Sequence, residues 1–481
     1  MASIKTASRL VKEIAILNYI SDEKNNLYIT PLLNGPHGIG KSQVCREVAD
    51  KMNADFYVMD GSCIKEGEAT GLPFAQKNDD GSSEVRFIKY YVFNKIWQAQ
   101  KFYYEKACTT GFLNGTIKLE FDNEGNEYLV VNGEKKLVRT ARDILLAGDD
   151  NKYMFGEQLD GATKLKLLES GEMQPAIILI DELNRTELQT MKELMNIILN
   201  KIVNGYRIPW FVSIVSAVNP CSQNSSYATN EMDDAQLDRF LKIKVDAKLD
   251  EWIDYMLIDK NISSEVVEAL AMDEGIFIHR ESNQQDTSEM SPSPRSWEMV
   301  VNIYDKLGAV LSTKYFDDEE RKNYNDDLRS LIKGKVGELA CREVIKLIND
   351  KNNHIKPEEI FTLKEPKIDP KIVAKFKGFK ALSQMIVANN VVVYINQNWK
   401  MLESAKKSSD PKDKSKYMCF KSQLSEFTNL LDMASQVVFV KKITLLPDGN
   451  RIFSVVAPAF STDVLATIKA AKSDLKDIFD D

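Results

Sequence analysis

The sequence predicts an α/β class: a parallel sheet flanked by helices, carrying an inserted α+β subdomain, then a small helical region and a mostly helical C-terminal part. Three observations predict it. In residues 28–52 a β-prone stretch runs into a glycine-rich loop at 35–40. A segment with Val44, Val48, Ala49 and Met52 at helical spacing follows. Residues 176–180 form a short unbroken apolar run, which reads as a buried parallel strand, and 211–218, apolar but for Ser213 and Ser216, read as a further strand. From Leu249 onward the apolar spacing turns mainly helical.

The N-terminal Leu10, Val11, Ile14, Leu17 and Tyr19 suit one face of an amphipathic helix rather than the apolar core of a signal peptide. The 481 residues are 43% hydrophobic and 28% charged, in keeping with a globular protein of two or three domains. The net charge of −8 gives no global electrostatic footprint for nucleic acid. Six cysteines, at 45, 63, 108, 221, 341 and 419, form no C-x-x-C pair, and there are three histidines. That pattern counts against a zinc site or a disulfide framework and points to a reducing, cytoplasmic compartment. The apolar runs are too short to span a bilayer, so no membrane partner is expected.

The glycine loop reads Gly35-Pro36-His37-Gly38-Ile39-Gly40-Lys41-Ser42, the G-x-x-x-x-G-K-S spacing of a phosphate-binding P-loop. Its glycines allow a tight turn that aims backbone N–H groups at phosphate oxygens. Lys41 would reach the β- and γ-phosphates, and the Ser42 hydroxyl would sit on Mg²⁺. The expected nucleotide contacts are Gly35, Pro36, His37, Gly38, Ile39, Gly40, Lys41, Ser42 and Gln43. His37 fills an unspecified position of the motif, and Cys45 and Cys63 read as small buried hydrophobes.

The strand read at 175–180 delivers Asp181 and Glu182 to its carboxyl end, where open α/β sheets bind ligands. Asp181 would hold Mg²⁺, and Glu182 would polarise water against the γ-phosphate, a role worth about 10²–10⁴ in rate. The strand read at 211–218 ends in Asn219, suited to the γ-phosphate or the attacking water. Between them, residues 187–202 have helical spacing, and Asn204-Gly205 marks a hairpin.

These segments resemble the AAA+ ATPases, and within them the MoxR-like group. Asp181-Glu182-Leu183-Asn184-Arg185 looks like D-E-x-N-R. Gly71-Leu72-Pro73, Tyr206-Arg207-Ile208-Pro209 and Ala217-Val218-Asn219-Pro220 resemble the group's G-L-P, hairpin and sensor 1 segments. Ala235-Gln236-Leu237-Asp238-Arg239-Phe240 resembles A-x-L-D-R-F, and Ser293-Pro294-Arg295-Ser296-Trp297 resembles the sensor 2 segment. The resemblance covers roughly residues 1–345 and implies ATP and Mg²⁺ as cofactors. It implies a ring, usually a hexamer, with ATP between subunits. Arg239 would act in trans as an arginine finger, worth about 10³–10⁵ in rate in related chemistry. Arg295 would act in cis as sensor 2. Arg185 reads equally as facing the neighbouring site or as a solvated residue. The resemblance further implies chaperone-like work on a protein client, with a partner carrying a von Willebrand factor A domain.

The implied organisation is an AAA+ core at 1–248 with an insertion at 76–172, a lid at 249–350 and a helical appendage at 351–481. Lys41 and Asp181 lie 140 positions apart (residue 41 to residue 181), far more than the group usually needs. Residues 87–106 are rich in aromatics and should be partly helical. Residues 116–121, 127–131 and 135–138 read as a β-meander with turns at Gly125-Asn126 and Asn132-Gly133. Such an insert either grips a substrate or partner or packs on the neighbouring subunit, and since aromatics are more often core than contact, packing is expected for most of them.

In the C-terminal part, residues 331–348, 379–399, 424–440 and 464–479 read as helices and 404–416 as a flexible loop. Residues 447–450 read as the turn of a short hairpin. Two other functions compete. A nucleic-acid motor or restriction-type NTPase is opposed by the acidic charge. A nucleotide-gated scaffold without turnover is opposed by Glu182 and Arg239.

Overall fold

The computed structural model describes residues 3–21, 28–77, 83–220, 232–260, 262, 264–278, 291–350, 354–444, 446 and 448–465. The chain divides into two compact units, Met1–Ala247 and Lys248–Asp481, which are described separately.

In the first unit, α1 (Ile4–Ile20), capped by Ser3, precedes β1 (Pro31–Asn34), α2 (Lys41–Lys51) and β2 (Asp55–Asp60). An antiparallel ribbon follows, β3 (Leu72–Lys77) with β4 (Ser83–Ile88), and then α3 (Tyr91–Thr109). The meander is β5 (Ile117–Phe121), β6 (Glu127–Val131) and β7 (Glu134–Arg139). Short helices α4 (Ala141–Leu146), α5 (Gly148–Asn151) and α6 (Gly161–Glu169) lead to β8 (Ala176–Asp181). Next come α7 (Leu188–Asn200), the hairpin β9 (Ile202–Val203) and β10 (Tyr206–Arg207), then β11 (Val212–Val218), α8 (Asp234–Leu237) and β12 (Leu241–Lys244).

Five strands form the central sheet, in the order β12-β1-β11-β8-β2, with every pairing parallel. Period-two alternation splits its side chains between two cores. Ile177 and Leu179 of β8, with Val215 and Ala217 of β11, face α1 and α2. Ala176, Ile178 and Ile180, with Val212, Ile214 and Val218, face α3, α7 and the meander. Strands this rich in apolar residues are what a sheet covered on both faces demands.

The inserted segment shares that second core. Phe93, Ile96 and Tyr103 of α3 and Leu119 and Leu129 of the meander lie in one cluster with Ile178 and Ile214. Packing therefore accounts for much of the aromatic stretch, while Phe87, Tyr91 and Phe102 stay exposed. Both Asn-Gly turns are tight hairpins with two left-handed residues. Asn132 has φ 51° and Gly133 φ 88°; Asn204 has φ 45° and Gly205 φ 86°. Among the elements not read from the sequence are the short helices α4 to α6, the β3–β4 ribbon and β12. The β3–β4 ribbon carries apolar Leu72, Phe74, Val85, Phe87 and Ile88 in exposed positions, so it lacks the alternation that marks a half-buried strand. In β12, which pairs only with β1, Ile243 is the residue that is buried. One expectation is corrected: Cys45 is buried, but Cys63 is exposed in the turn after β2.

At the entry end of β11 half-buried charges anchor the sheet. Lys201, left-handed at the C-cap of α7, donates to the carbonyls of Val212 at 2.9 Å and Pro209 at 3.3 Å. Burial pushes its pKa down to about 8 against the pull of Glu157. Burial likewise raises the Glu157 carboxyl, opposed by Lys201 and Lys164.

The second unit is helical: α9 (Leu249–Asp254), continued by a π-helical turn, α10 (Glu265–Met272), α11 (Pro294–Leu311), α12 (Asp318–Lys322), α13 (Tyr324–Val336) and α14 (Glu338–Asn349). It goes on with α15 (Pro357–Ile360), α16 (Pro370–Gly378), α17 (Ala381–Lys407), α18 (Pro411–Leu430), α19 (Met433–Thr444) and α20 (Gly449–Val456). The expected loop at 404–416 is a correction. It narrows to residues 408–410, because Asp410 caps α18 and Pro411 sits in its first turn. The expected 424–440 helix breaks after Leu430, where Leu431 turns extended. No hairpin forms at 448–450: the chain there passes from α19 to α20, with Pro447 outside the described residues. Most of the expected 464–479 helix also lies outside them.

Within this unit, Glu268 of α10 accepts from Asn390 of α17 at 2.6 Å and pairs with His354 Nδ1. Burial disfavours the imidazolium, but the hydrogen bond and charge of Glu268, helped by the Leu347 carbonyl and Glu265, outweigh it, and the His354 pKa is raised. A raised folded pKa gives stability that is full below the unfolded value and is lost as pH rises through the folded one. His354→Ala should therefore lower the melting temperature more at pH 6 than at pH 8. Thermal melts of both proteins at the two pH values check this, and an equal drop at both would contradict it.

Candidate nucleotide-binding site

Three parallel strands, β1, β8 and β11, end on one edge of the sheet. Each carries a residue singled out from the sequence. β1 runs into the glycine loop, whose entry is fixed on both sides: Gly35 N–H donates to the Val218 carbonyl at 3.4 Å, and Val245 N–H donates to the Asn34 carbonyl at 2.8 Å. A Cβ on Gly35 would lie 2.5 Å from the Val245 carbonyl oxygen, so only glycine lets the loop pass there. Gly40, the N-cap of α2, has φ 96° and ψ 20°, a left-handed geometry that L-residues resist. It offers α2 no side-chain cap. A helix start without a side-chain cap, preceded by a glycine loop, favours an anion.

Lys41 is 7% exposed, and its ammonium is held by three oxygens. These are the carbonyls of Gly35 at 2.7 Å and Pro36 at 2.9 Å, and Asn219 Oδ1 at 2.8 Å. The neighbouring Ser42 hydroxyl donates to Asp181 Oδ2 at the tip of β8. The structure thus brings Lys41, Ser42, Asp181 and Asn219 into one hydrogen-bonded cluster beside the loop. A hydroxyl and a carboxylate in contact, next to a buried ammonium, are the donor set that Mg²⁺ and a polyphosphate require. The residues present fit both: Ser42 and Asp181 for the metal, Lys41 and the loop amides for phosphate.

Glu182 follows Asp181 in a left-handed conformation, φ 52°, which turns the chain out of the sheet. Both its carboxylate oxygens accept from Arg185 Nη1, at 3.0 Å and 2.9 Å. Arg185 accordingly pairs with Glu182 of its own chain. Arg239 is exposed in the turn between α8 and β12 and does not belong to the cluster. Arg295 is exposed in the first turn of α11, which Ser293 caps, and belongs to the second unit. His37 and Gln43 are exposed, and Ile39 is buried beside the core of α1 and α2. Burial, with the charge of Asp181 adding to it, drives the Cys45 thiol pKa well above its ordinary value.

One residue the sequence reading left without a role stands out. Asn184 is 2% exposed, in the single turn of 3-10 helix after β8. Its Nδ2 donates to the Asn219 carbonyl at 2.7 Å, and its Oδ1 accepts from Asn219 N–H at 3.3 Å. The hints in the sequence were its place in the D-E-x-N-R-like stretch and an amide side chain three residues past the strand's acidic tip.

No protein-family model matches the sequence, and no curated protein matches it. Among solved structures the chain is similar to NtrX from Brucella abortus, at 9% identity and a TM-score of 0.29, over 90% of this chain and 66% of that one. It is also similar to the RuvB Holliday junction branch migration motor of Thermotoga maritima, at 10% identity and a TM-score of 0.28, over 94% and 86% of the two chains. C. elegans PCH-2 aligns at 13% identity and a TM-score of 0.23, over 72% and 69%. Such distant likenesses leave the reading of the site to this chain's own residues.

Gly35→Ala should destabilise the first unit by about 1–3 kcal/mol, the usual cost of forcing an extra carbon into a filled space. Urea unfolding followed by a probe in that unit would measure it, and a neutral result would show that the loop entry can shift.

Proposed function

We propose that this chain hydrolyses ATP as an AAA+ ATPase of the MoxR-like kind. The observation that supports it best is the cluster in which Lys41, Ser42, Asp181 and Asn219 meet at three parallel strand tips beside an uncapped helix start. Phosphoryl transfer asks little covalent chemistry of a protein; positioning and charge supply most of the catalysis. Lys41 would exchange its carbonyl partners for phosphate oxygens while keeping Asn219 within reach of the same phosphate. Ser42 and Asp181 would hold Mg²⁺, which when bound neutralises charge across the phosphates. Glu182 would orient water and take its proton on a carboxylate oxygen. Each of its oxygens accepts one bond from Arg185 and has a second lone pair with which to accept from that water.

The resemblance adds finer detail to this proposal. Subunits assemble as a ring, hexameric in the usual form, and Arg239 projects to the neighbour's γ-phosphate. Its exposed position agrees with action in trans. Arg295, at the start of a capped helix, serves as sensor 2. The work is chaperone-like, in the cytoplasm, on a protein client and with a von Willebrand factor A domain partner.

Glu182→Gln should bind ATP with unchanged affinity and lose turnover by about 10²-fold or more. Steady-state phosphate release undiminished in that variant would sink the mechanism. Arg239→Ala should lose turnover by about 10³-fold while each subunit still binds ATP. Mixing it with Lys41→Ala protein should restore part of the activity, since each variant supplies what the other lacks; mixed rings that stay inactive would contradict action in trans. Turnover stimulated by DNA, with the stimulation falling steeply as salt rises, would replace the protein client with nucleic acid.

A further inference from the structure

We infer that Asn184 is a positioning residue for the hydrolytic site, acting through Asn219; this rests on the ATPase reading above. β11 ends its sheet pairing at Val218, whose neighbour on β1 is Asn34 and whose carbonyl takes the Gly35 N–H. Asn219 is thus the first residue past the ladder, where nothing in the sheet sets its peptide orientation. Asn184 supplies that. One amide side chain donates to the Asn219 carbonyl and accepts from the Asn219 N–H, a two-point clamp on a single residue. With both backbone groups held, the Asn219 side chain is aimed, and its Oδ1 meets Lys41 Nζ at 2.8 Å.

The clamp is itself rigid. Leu183, fully buried, and Thr186, whose hydroxyl donates to the Leu183 carbonyl at 2.7 Å, flank Asn184 in its turn. The contacts close a circuit: Ser42 to Asp181, through the turn to Asn184, across to Asn219, and back to Lys41 beside Ser42. The β8 tip, which would carry the metal ligand and the water-orienting carboxylate, is thereby tied to the β11 tip that faces the same phosphate.

Asparagine is the residue this needs. Aspartate keeps the acceptor but sets a carboxylate against the Asn219 carbonyl, and glutamine, one methylene longer, would carry its amide past the Asn219 peptide. A residue that only stabilised the turn would change melting temperature and nothing specific to hydrolysis. A positioning residue changes kcat and leaves nucleotide affinity nearly intact.

The test is a double-mutant cycle on the full chain. Asn184→Ala and Asn184→Asp should each lower kcat about 10- to 100-fold, toward the level of Asn219→Ala, while the dissociation constant for a fluorescent ATP analogue changes less than about 3-fold. In the Asn219→Ala background, which keeps the backbone groups Asn184 holds, adding Asn184→Ala should cost less than about 2-fold more in kcat, although any melting-temperature loss persists. Multiplicative losses in the double variant would overturn the inference, and so would a loss of nucleotide affinity in place of kcat. If the alanine variant melts below the assay temperature, Asn184→Ser, smaller but still polar, takes its place in the cycle and is read the same way. A wild-type chain without ATP turnover overturns the ATPase reading and this inference together. Turnover slowed by Asn219→Ala but not by Asn184→Ala overturns the inference alone.

Discussion

Parallel pairing of β1, β8 and β11 is the constraint on which the rest of the site depends. In a parallel ladder every strand exits on the same edge, so a residue placed just past the end of one strand is brought near the residue just past the end of its neighbour. β11 lies between β1 and β8, with Leu33 beside Ala217 and Leu179 beside Val215. Asn219 is therefore set between the glycine loop and the acidic tip of β8. The cluster of ammonium, amide, hydroxyl and carboxylate follows from strand order and register before any side chain is chosen. The side chains then add what the ladder cannot, since hydrogen bonds across the tips hold groups that have left the sheet.

Much of this was legible in the sequence where local pattern and tertiary demand agree. Predominantly apolar runs marked β8 and β11, and the glycine loop marked the turn into α2. The two Asn-Gly pairs became tight hairpins because left-handed φ values are cheap for those residues. What stayed illegible is equally physical. The β3–β4 ribbon has apolar residues on both faces and little burial, so it follows no period-two pattern. Residues 404–416 looked like a loop by composition, but charged side chains on an exposed helix face have the same composition, and Asp410 with Pro411 supplies a helix start inside it. At the site, the residue types of Lys41, Ser42 and Asp181 suggested their own partners. The clamp of Asn184 on Asn219 spans 35 residues and joins a side chain to a backbone, so no spacing rule announces it.

The sheet is treated differently at its two edges. At the entry edge, Lys201 and Glu157 are half-buried, and desolvation moves both away from their ordinary pKa values. Lys201 is nonetheless bonded to the carbonyls that open β11, an arrangement that fixes the strand. At the exit edge, the polar side chains bond mainly to one another and to loop carbonyls, which a phosphate oxygen can replace. Rigidity sits where nothing has to move, and exchangeable hydrogen bonds sit where a ligand would arrive.

The register of β1 also fixes an order of events during synthesis. Leu32 pairs with Ser216 on one side and Lys242 on the other. Both neighbours are translated long after β1 itself. At roughly 5–20 residues per second, the strand is made roughly 9–37 seconds before the first of these partners exists. Of its apolar residues, Leu33 shares a core with α1 and α2, and Leu32 lies in the core of α3, α7 and the meander. The first two helices thus shelter one face of a strand whose sheet has yet to be made, and the hydrogen bonds that fix the entry of the phosphate loop wait for Val218 and Val245.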